Sequence, residues 1–185
     1  MCKTMNIVTR AALIDDKPAI WQLFESEMKQ HIEVIWGWDA AWQVADFDNA
    51  FSTSSTYVVE VDGKFSGYFQ LDHGVVENYL RMIVLLPACR SLGIGAKLLA
   101  EILRLSCRDG RTLSLRVFRA NLSAKRFYER EGWLIMAEEG DFVCMRHETS
   151  VEAITFNALA DPSSRQFEII FELQRKQELF RNSSM

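Results

Sequence analysis

Apolar residues change their spacing near position 55 of this chain. Before it, Ile20, Phe24, Met28, Ile32 and Ile35 recur every three or four residues, the period of one face of an α-helix. Asp15 and Asp16 ahead of Pro18 suit an N-cap and first turn, so a first helix is predicted to about Val34, with Gly37 as its break. Asp39 caps a second, shorter helix through Trp42 and Ala45, ended by the polar run STSST. A short apolar strand over 6–12 precedes both helices.

From residue 56 the period shortens to two. TYVVEV and KFSGYFQL read as strands joined at Asp62-Gly63, a pair that supplies the positive φ of a tight hairpin. His73-Gly74 marks another turn, and VVENYLRMIVLL is a longer strand that stops at Pro87, which has no N–H for a ladder. By period two, Glu77 and Tyr79 share one face of it with Arg81 and Ile83. The helical period then returns at Ile94, Leu98, Leu99, Ile102, Leu103 and Leu105, and RDGR around Gly110 closes that helix. TLSLRVF is a strand, Asn121 caps a helix bearing Ala124, Phe127 and Tyr128, and Gly132 ends it. Two last strands, near WLIMA and FVCMRH, flank the turn EEGD. No internal repeat is visible.

A chain of 185 residues, 49% hydrophobic, suits one domain with a sizeable core. The net charge of −4, with both signs interspersed, offers no basic surface for nucleic acid or membrane. The four cysteines are scattered, without C-x-x-C spacing or a histidine at metal-ligand distance. They fit reduced thiols in a cytoplasmic protein, which the absence of an apolar run of leader or membrane-spanning length also favours. No metal, nucleic acid or membrane partner is expected.

The chemistry concentrates in LLPACRSLGIGAKLLAEIL, where Gly93 and Gly95 stand between an apolar strand and a helix. Such a turn aims several backbone N–H groups at one point, and the helix dipole adds partial positive charge there. A pyrophosphate fits that arrangement, with Arg90 adding a charge-assisted contact. The dinucleotide fingerprint fails, because Leu98 stands where its third glycine belongs, and the P-loop fails because Ala96-Lys97-Leu98 follows Gly95.

RSLGIG does match the Arg/Gln-x-x-Gly-x-Gly/Ala turn of the GNAT superfamily of N-acetyltransferases. The chain resembles that family over about residues 5–147. LLPACRSLGIGAKLL is similar to its strand, proline and pyrophosphate turn, and LSLRVFRANLSAKRFYEREGW to its next strand and helix, with Asn121, Ala124, Tyr128 and Gly132 at matching positions. Trp133 departs from it conservatively, standing where the family often has phenylalanine.

The resemblance implies a mixed α/β (α+β) fold: a twisted, mostly antiparallel sheet, helices on both faces, and central parallel strands that splay to admit the pantetheine arm of acetyl-CoA as cosubstrate. It implies that backbone amides of Ser91, Leu92, Gly93, Ile94, Gly95 and Ala96 bind the pyrophosphate with Arg90, and that the Leu85 N–H polarises the thioester carbonyl. Tyr128 becomes the general acid for the departing thiolate. Asn121 serves both as an N-cap and as a contact to the pantetheine amides. For the proton on the attacking amine, a carboxylate, histidine or ordered water is needed, and Glu77 ranks first. Trp36, Trp38 and Trp42, with Gln43 and Glu33, line an acceptor wall suited to a cationic amine, although at least one of the three tryptophans belongs to the core.

The expected activity is transfer of an acetyl group to a primary amine of a small molecule or peptide by direct attack. A non-catalytic acyl-CoA sensor or scaffold is the competing reading. Residues 148–185 form an extension in which Phe167, Ile170, Phe171, Gln174 and Leu179 suggest an amphipathic helix after Pro162, with a homodimer as one use for it.

Overall fold

The computed structural model describes residues 5–147 and a short strand at Ile170–Phe171. In chain order, β1 (Ile7–Ala11) leads into α1 (Lys17–Trp36) and α2 (Ala40–Thr53), followed by β2 (Ser55–Val61), β3 (Lys64–His73) and β4 (Glu77–Leu85). After a short 3₁₀ turn at Pro87–Cys89 come α3 (Ile94–Arg108), β5 (Thr112–Phe118), α4 (Leu122–Arg130), β6 (Leu134–Glu139), β7 (Phe142–His147) and β8 (Ile170–Phe171). The strands make one sheet in the order β6-β7-β5-β4-β3-β2-β1-β8. Two neighbouring pairs are parallel, β4 with β5 and β1 with β8, and the other five are antiparallel.

Local chemistry accounts for the boundaries. Asp62 and Gly63 both take positive φ, 51° and 75°, the conformation that lets two strands of right-handed twist close on a two-residue turn. The Asp39 carboxylate accepts the Trp42 N–H and the Asn121 side-chain oxygen accepts the Ala124 N–H, each satisfying an amide at the start of a helix. The strand predicted from Val75 begins only at Glu77, because Gly74 and Glu77 close the turn and leave Val75 and Val76 exposed.

Each face of the sheet carries its own core. Helices α3 and α4 cover Tyr57, Phe69, Leu80, Leu115 and Met145 with Leu98, Leu99, Ile102 and Tyr128, while α1 and α2 cover Val58, Tyr68, Val84 and Phe118 with Ile20, Leu23, Phe24 and Phe47. A register shift opposite Gln70 and Leu71 inserts Arg81 as an extra residue in β4. Such a bulge reverses the alternation of side chains beyond it. Leu80 and Ile83 consequently face the α3 side together, and Met82 and Val84 face α1. Uninterrupted period two puts Ile83 beside Glu77 and Tyr79; the bulge moves it to the opposite face.

The extension also departs from its expected form. Where an amphipathic helix is predicted through Ile170 and Phe171, these two residues pair as a strand with Val8 and Thr9 of β1. The outer edge of β1 offers unpaired N–H and C=O groups, and β-prone residues satisfy them there. The remainder of that predicted helix lies outside the described residues. Among those described, no helix is long and apolar enough to cross a membrane.

Candidate active site

Strands β4 and β5 pair only from Glu77↔Thr112 to Leu80↔Leu115, although β4 runs on to Leu85 and β5 to Phe118. Beyond the Arg81 bulge they part, and a cleft of about 680 Å³ opens where the ladder stops. Its walls come from four directions: Met28 and His31 of α1, Ile83 and Leu85 of β4, the turn at Arg90, Ser91 and Gly93, and Asn121, Phe127 and Tyr128 of α4 and its cap.

The backbone of β4 is turned toward this gap. Leu86 N–H donates to the Ser66 carbonyl at 2.9 Å, and Gly67 lies directly opposite Leu85. Opposed residues in an antiparallel pair alternate between bonded and non-bonded positions. The N–H and C=O of Leu85, and by the same alternation those of Ile83, therefore point away from β3 to where β5 has diverged. The Leu85 carbonyl already has a partner, accepting from Arg90 Nε at 3.0 Å and Nη2 at 2.9 Å. Arg90 also pairs with Glu27 of α1 at 2.5 Å, so its guanidinium ties the end of β4 to α1.

The glycine turn leaves backbone amides uncovered at the start of α3. Ser91 and Gly93 take positive φ, 59° and 76°, and the first helical bond of α3 runs from Lys97 N–H to the Gly93 carbonyl. Amides ahead of Lys97 thus begin a helix without an acceptor in it. A side chain at Gly93 would meet nothing within 4 Å, so open space stands beside the backbone there. Gly95 has a different requirement: a Cβ would sit 3.3 Å from Phe127 Cζ, so its bareness lets α3 pack on α4. Ile94 buries its side chain in the core and Leu92 is half exposed; neither side chain lines the cleft.

Tyr128 is 9% exposed and reaches the cleft from α4, with Trp133 edge-on to its ring at 5.7 Å. Burial pushes its phenol well above the usual tyrosine value, and Tyr79 adds to the effect. Asn121 spends its side-chain oxygen on the Ala124 N–H and the Ser123 hydroxyl.

Other sequence-expected residues do not assemble here. Glu77 stands eight residues before Leu85 along β4, roughly 25 Å away at about 3.3 Å per residue. Its carboxylate accepts from Arg146 Nε at 3.0 Å and the Thr112 hydroxyl at 3.3 Å, in a separate hollow with Tyr79, Arg81 and Arg116. Glu33 lies on the outer face of α1 with Glu25 and Lys29. Trp38 packs against Trp21 and Phe24 and belongs to the core, Gln43 is buried under α2, and Trp42 is exposed on that helix. Only Trp36 of the three tryptophans approaches, packing on Phe118 and Phe142, both at 5.6 Å, while its indole N–H donates to Asp141 at 2.9 Å. His31, absent from the sequence reading, stacks on the same Phe118 at 6.2 Å. Spacing along α1 puts it one turn beyond Glu27, but nothing local signals what the far end of β5 brings to it.

The family model for the acetyltransferase (GNAT) family matches residues 18–133. The chain belongs to the GNAT acetyltransferase family. Solved structures share the GNAT fold at low identity. PaiA N-acetyltransferase from Thermoplasma acidophilum, in complex with coenzyme A, is 18% identical with a TM-score of 0.64, over 77% of this chain and 99% of that one. A GNAT family acetyltransferase from Elizabethkingia anophelis with acetyl-CoA bound is 13% identical with a TM-score of 0.59, over 78% and 99%. Arabidopsis thaliana Naa50, in complex with the bisubstrate analogue CoA-Ac-MVNAL, is 15% identical with a TM-score of 0.57, over 77% and 99%. No curated protein matches. Within this GNAT chain, no cluster of three or more His, Cys, Asp or Glu side chains suited to a metal ion occurs among the described residues.

Proposed function

We propose that this GNAT protein is an N-acetyltransferase that moves the acetyl group of acetyl-CoA to a primary amine of a small molecule or peptide by direct attack. The observation that carries the reading is the single cleft in which the gap between β4 and β5, the glycine turn and Tyr128 meet. The turn's amides and the positive end of α3 hold the pyrophosphate, and the gap admits the pantetheine arm. Leu85 N–H donates to the thioester oxygen as negative charge develops on it. Tyr128, kept protonated by its burial, gives its proton to the departing thiolate. Arg90 holds the Leu85 carbonyl and Glu27 through Nε and Nη2, and its Nη1 is the nitrogen that reaches the pyrophosphate. Phe118, Trp36 and Phe142, beside the Asp141 carboxylate, form the acceptor wall, suited to a cationic amine. A homodimer, expected from the sequence, belongs to the same reading and is read directly by sedimentation.

The test is a screen for thiol release from acetyl-CoA across polyamines, aminoglycosides, amino acids and peptides, run beside thermal melts. Acetyl-CoA at a hundred times its dissociation constant stabilises the folded protein by about 2.7 kcal/mol. Gly93→Asp is expected to abolish that shift, since it puts a carboxylate beside the anion site and a side chain at positive φ. An unaltered shift in this variant removes the turn from the site. Acetyl-CoA binding with no thiol release for any amine makes the protein a sensor instead.

A further inference from the structure

We propose that His31 is the catalytic base that takes the proton from the acceptor amine, an inference that rests on the N-acetyltransferase reading above. The cleft passes through the sheet because β4 and β5 have parted, so it has walls on both faces. Tyr128 reaches it from α4 on one face, packed among Leu80, Leu115 and Trp133. His31 reaches it from α1 on the other, where Val84 and Phe118 form the core with Ile32 and Phe24. The Leu85 amide points into the gap between them. A thioester lying along that gap meets an acid from one side and an amine with its base from the other, the arrangement direct attack requires.

The side chains around His31 separate it from the alternatives. Glu27, one helical turn away on the same wall, is held by Arg90, and Glu77 is held by Arg146 far along β4. Across the cleft stand Tyr128, Arg130 and Glu131 from α4 and its end, while β4 and β5 present Ile83, Val84 and Phe118. From the turn between β6 and β7, Asp141 is bonded to Trp36. The imidazole thus sits half-buried against an aromatic face, while the Glu27 and Asp141 carboxylates near it are held in other bonds, and an imidazole is a side chain suited to taking a proton from an amine.

The proton balance closes with these two residues. The acceptor arrives as an ammonium ion and gives one proton to His31, which returns it to solvent after turnover. The neutral amine forms the new C–N bond, the C–S bond breaks, and the thiolate takes the Tyr128 proton. The second nitrogen proton, lost as the amide forms, restores Tyr128. Acetyl-CoA and ammonium thereby yield amide, thiol and one released proton, without any further reactant.

His31→Gln removes the base, and His31→Phe removes it while keeping a ring on Phe118. With the best primary amine from the screen, both variants are expected to keep the acetyl-CoA thermal shift and to lose roughly 10²- to 10⁴-fold in kcat/KM. The acidic limb of the pH profile should vanish with them, the deficit should shrink for methoxyamine, which arrives unprotonated, and added imidazole should restore part of the rate to His31→Ala. Retention of the acidic limb, or kcat/KM within threefold of the parent, overturns the proposal alone. If neither the Gln nor the Phe variant keeps the thermal shift, His31 is a framework residue and the proposal is overturned. If the parent acetylates no amine, the N-acetyltransferase reading fails first and the assignment of His31 falls with it.

Discussion

Tyr128 and Gly95 illustrate how single residues of the two family motifs serve different ends. Tyr128 is buried, and its phenol holds its proton beyond the ordinary tyrosine range, so no alkaline limb from this group is expected up to about pH 10, the unperturbed value. Tyr128→Phe deletes one hydroxyl and should keep the fold and acetyl-CoA binding while lowering turnover roughly ten- to a thousandfold. Steady-state rates beside calorimetric binding check this, and full activity with an unchanged pH profile would reduce Tyr128 to packing. Gly95, grouped with Gly93 by the motif, lines the same cleft and also stands where a Cβ would come within 3.3 Å of Phe127 Cζ. The tryptophans sort in a similar way: Trp38 fills the α1 core, Trp42 faces outward, and Trp36 alone joins the aromatic row at Phe118.

The decisive feature among the elements is the end of β4. Arg81 bulges, the side-chain alternation reverses, and the Leu85 amide is left facing a gap instead of a strand. Gly67 of β3 supports that geometry, because a Cβ there would run into the Val84 carbonyl oxygen. Gly67→Ala must push β4 outward, with an overpacking cost of about 1–3 kcal/mol. The expected outcome is a melting midpoint lower by about 2–4 °C per kcal/mol, together with weaker acetyl-CoA binding because Leu85 moves. Thermal melts with and without acetyl-CoA read both effects. A lower midpoint with unaltered affinity would separate the β3–β4 packing from the site.

At the scale of the whole molecule, the described residues that line the cleft lie between Glu27 and Glu131. Removing residues 148–185 takes away β8, which pairs with Val8 and Thr9 of β1, and leaves in the chain the described residues of the cleft and of both cores. The truncated protein is expected to keep the acetyl-CoA thermal shift, and its loss would make the extension part of the site. Sedimentation of both forms then reports whether the exposed edge of β1 changes the assembly.

The amino-acid sequence by itself determined the succession of helices and strands through β7, the two-residue hairpin at Asp62-Gly63 and the glycine turn before α3. These depend on residues a few positions apart: caps, turn formers and the period of the apolar side chains. It also placed Tyr128 on its helix, since the motif that carries it is local. Tertiary structure decided which of those residues meet. The bulge that separates Ile83 from Tyr79, the isolation of Glu77 with Arg146, the strand at Ile170–Phe171 and the contact of His31 with Phe118 all arise between segments distant along the chain. No periodicity along one segment encodes what another segment brings to it, and for that reason a base on α1 became visible only once β4 and β5 were seen to part.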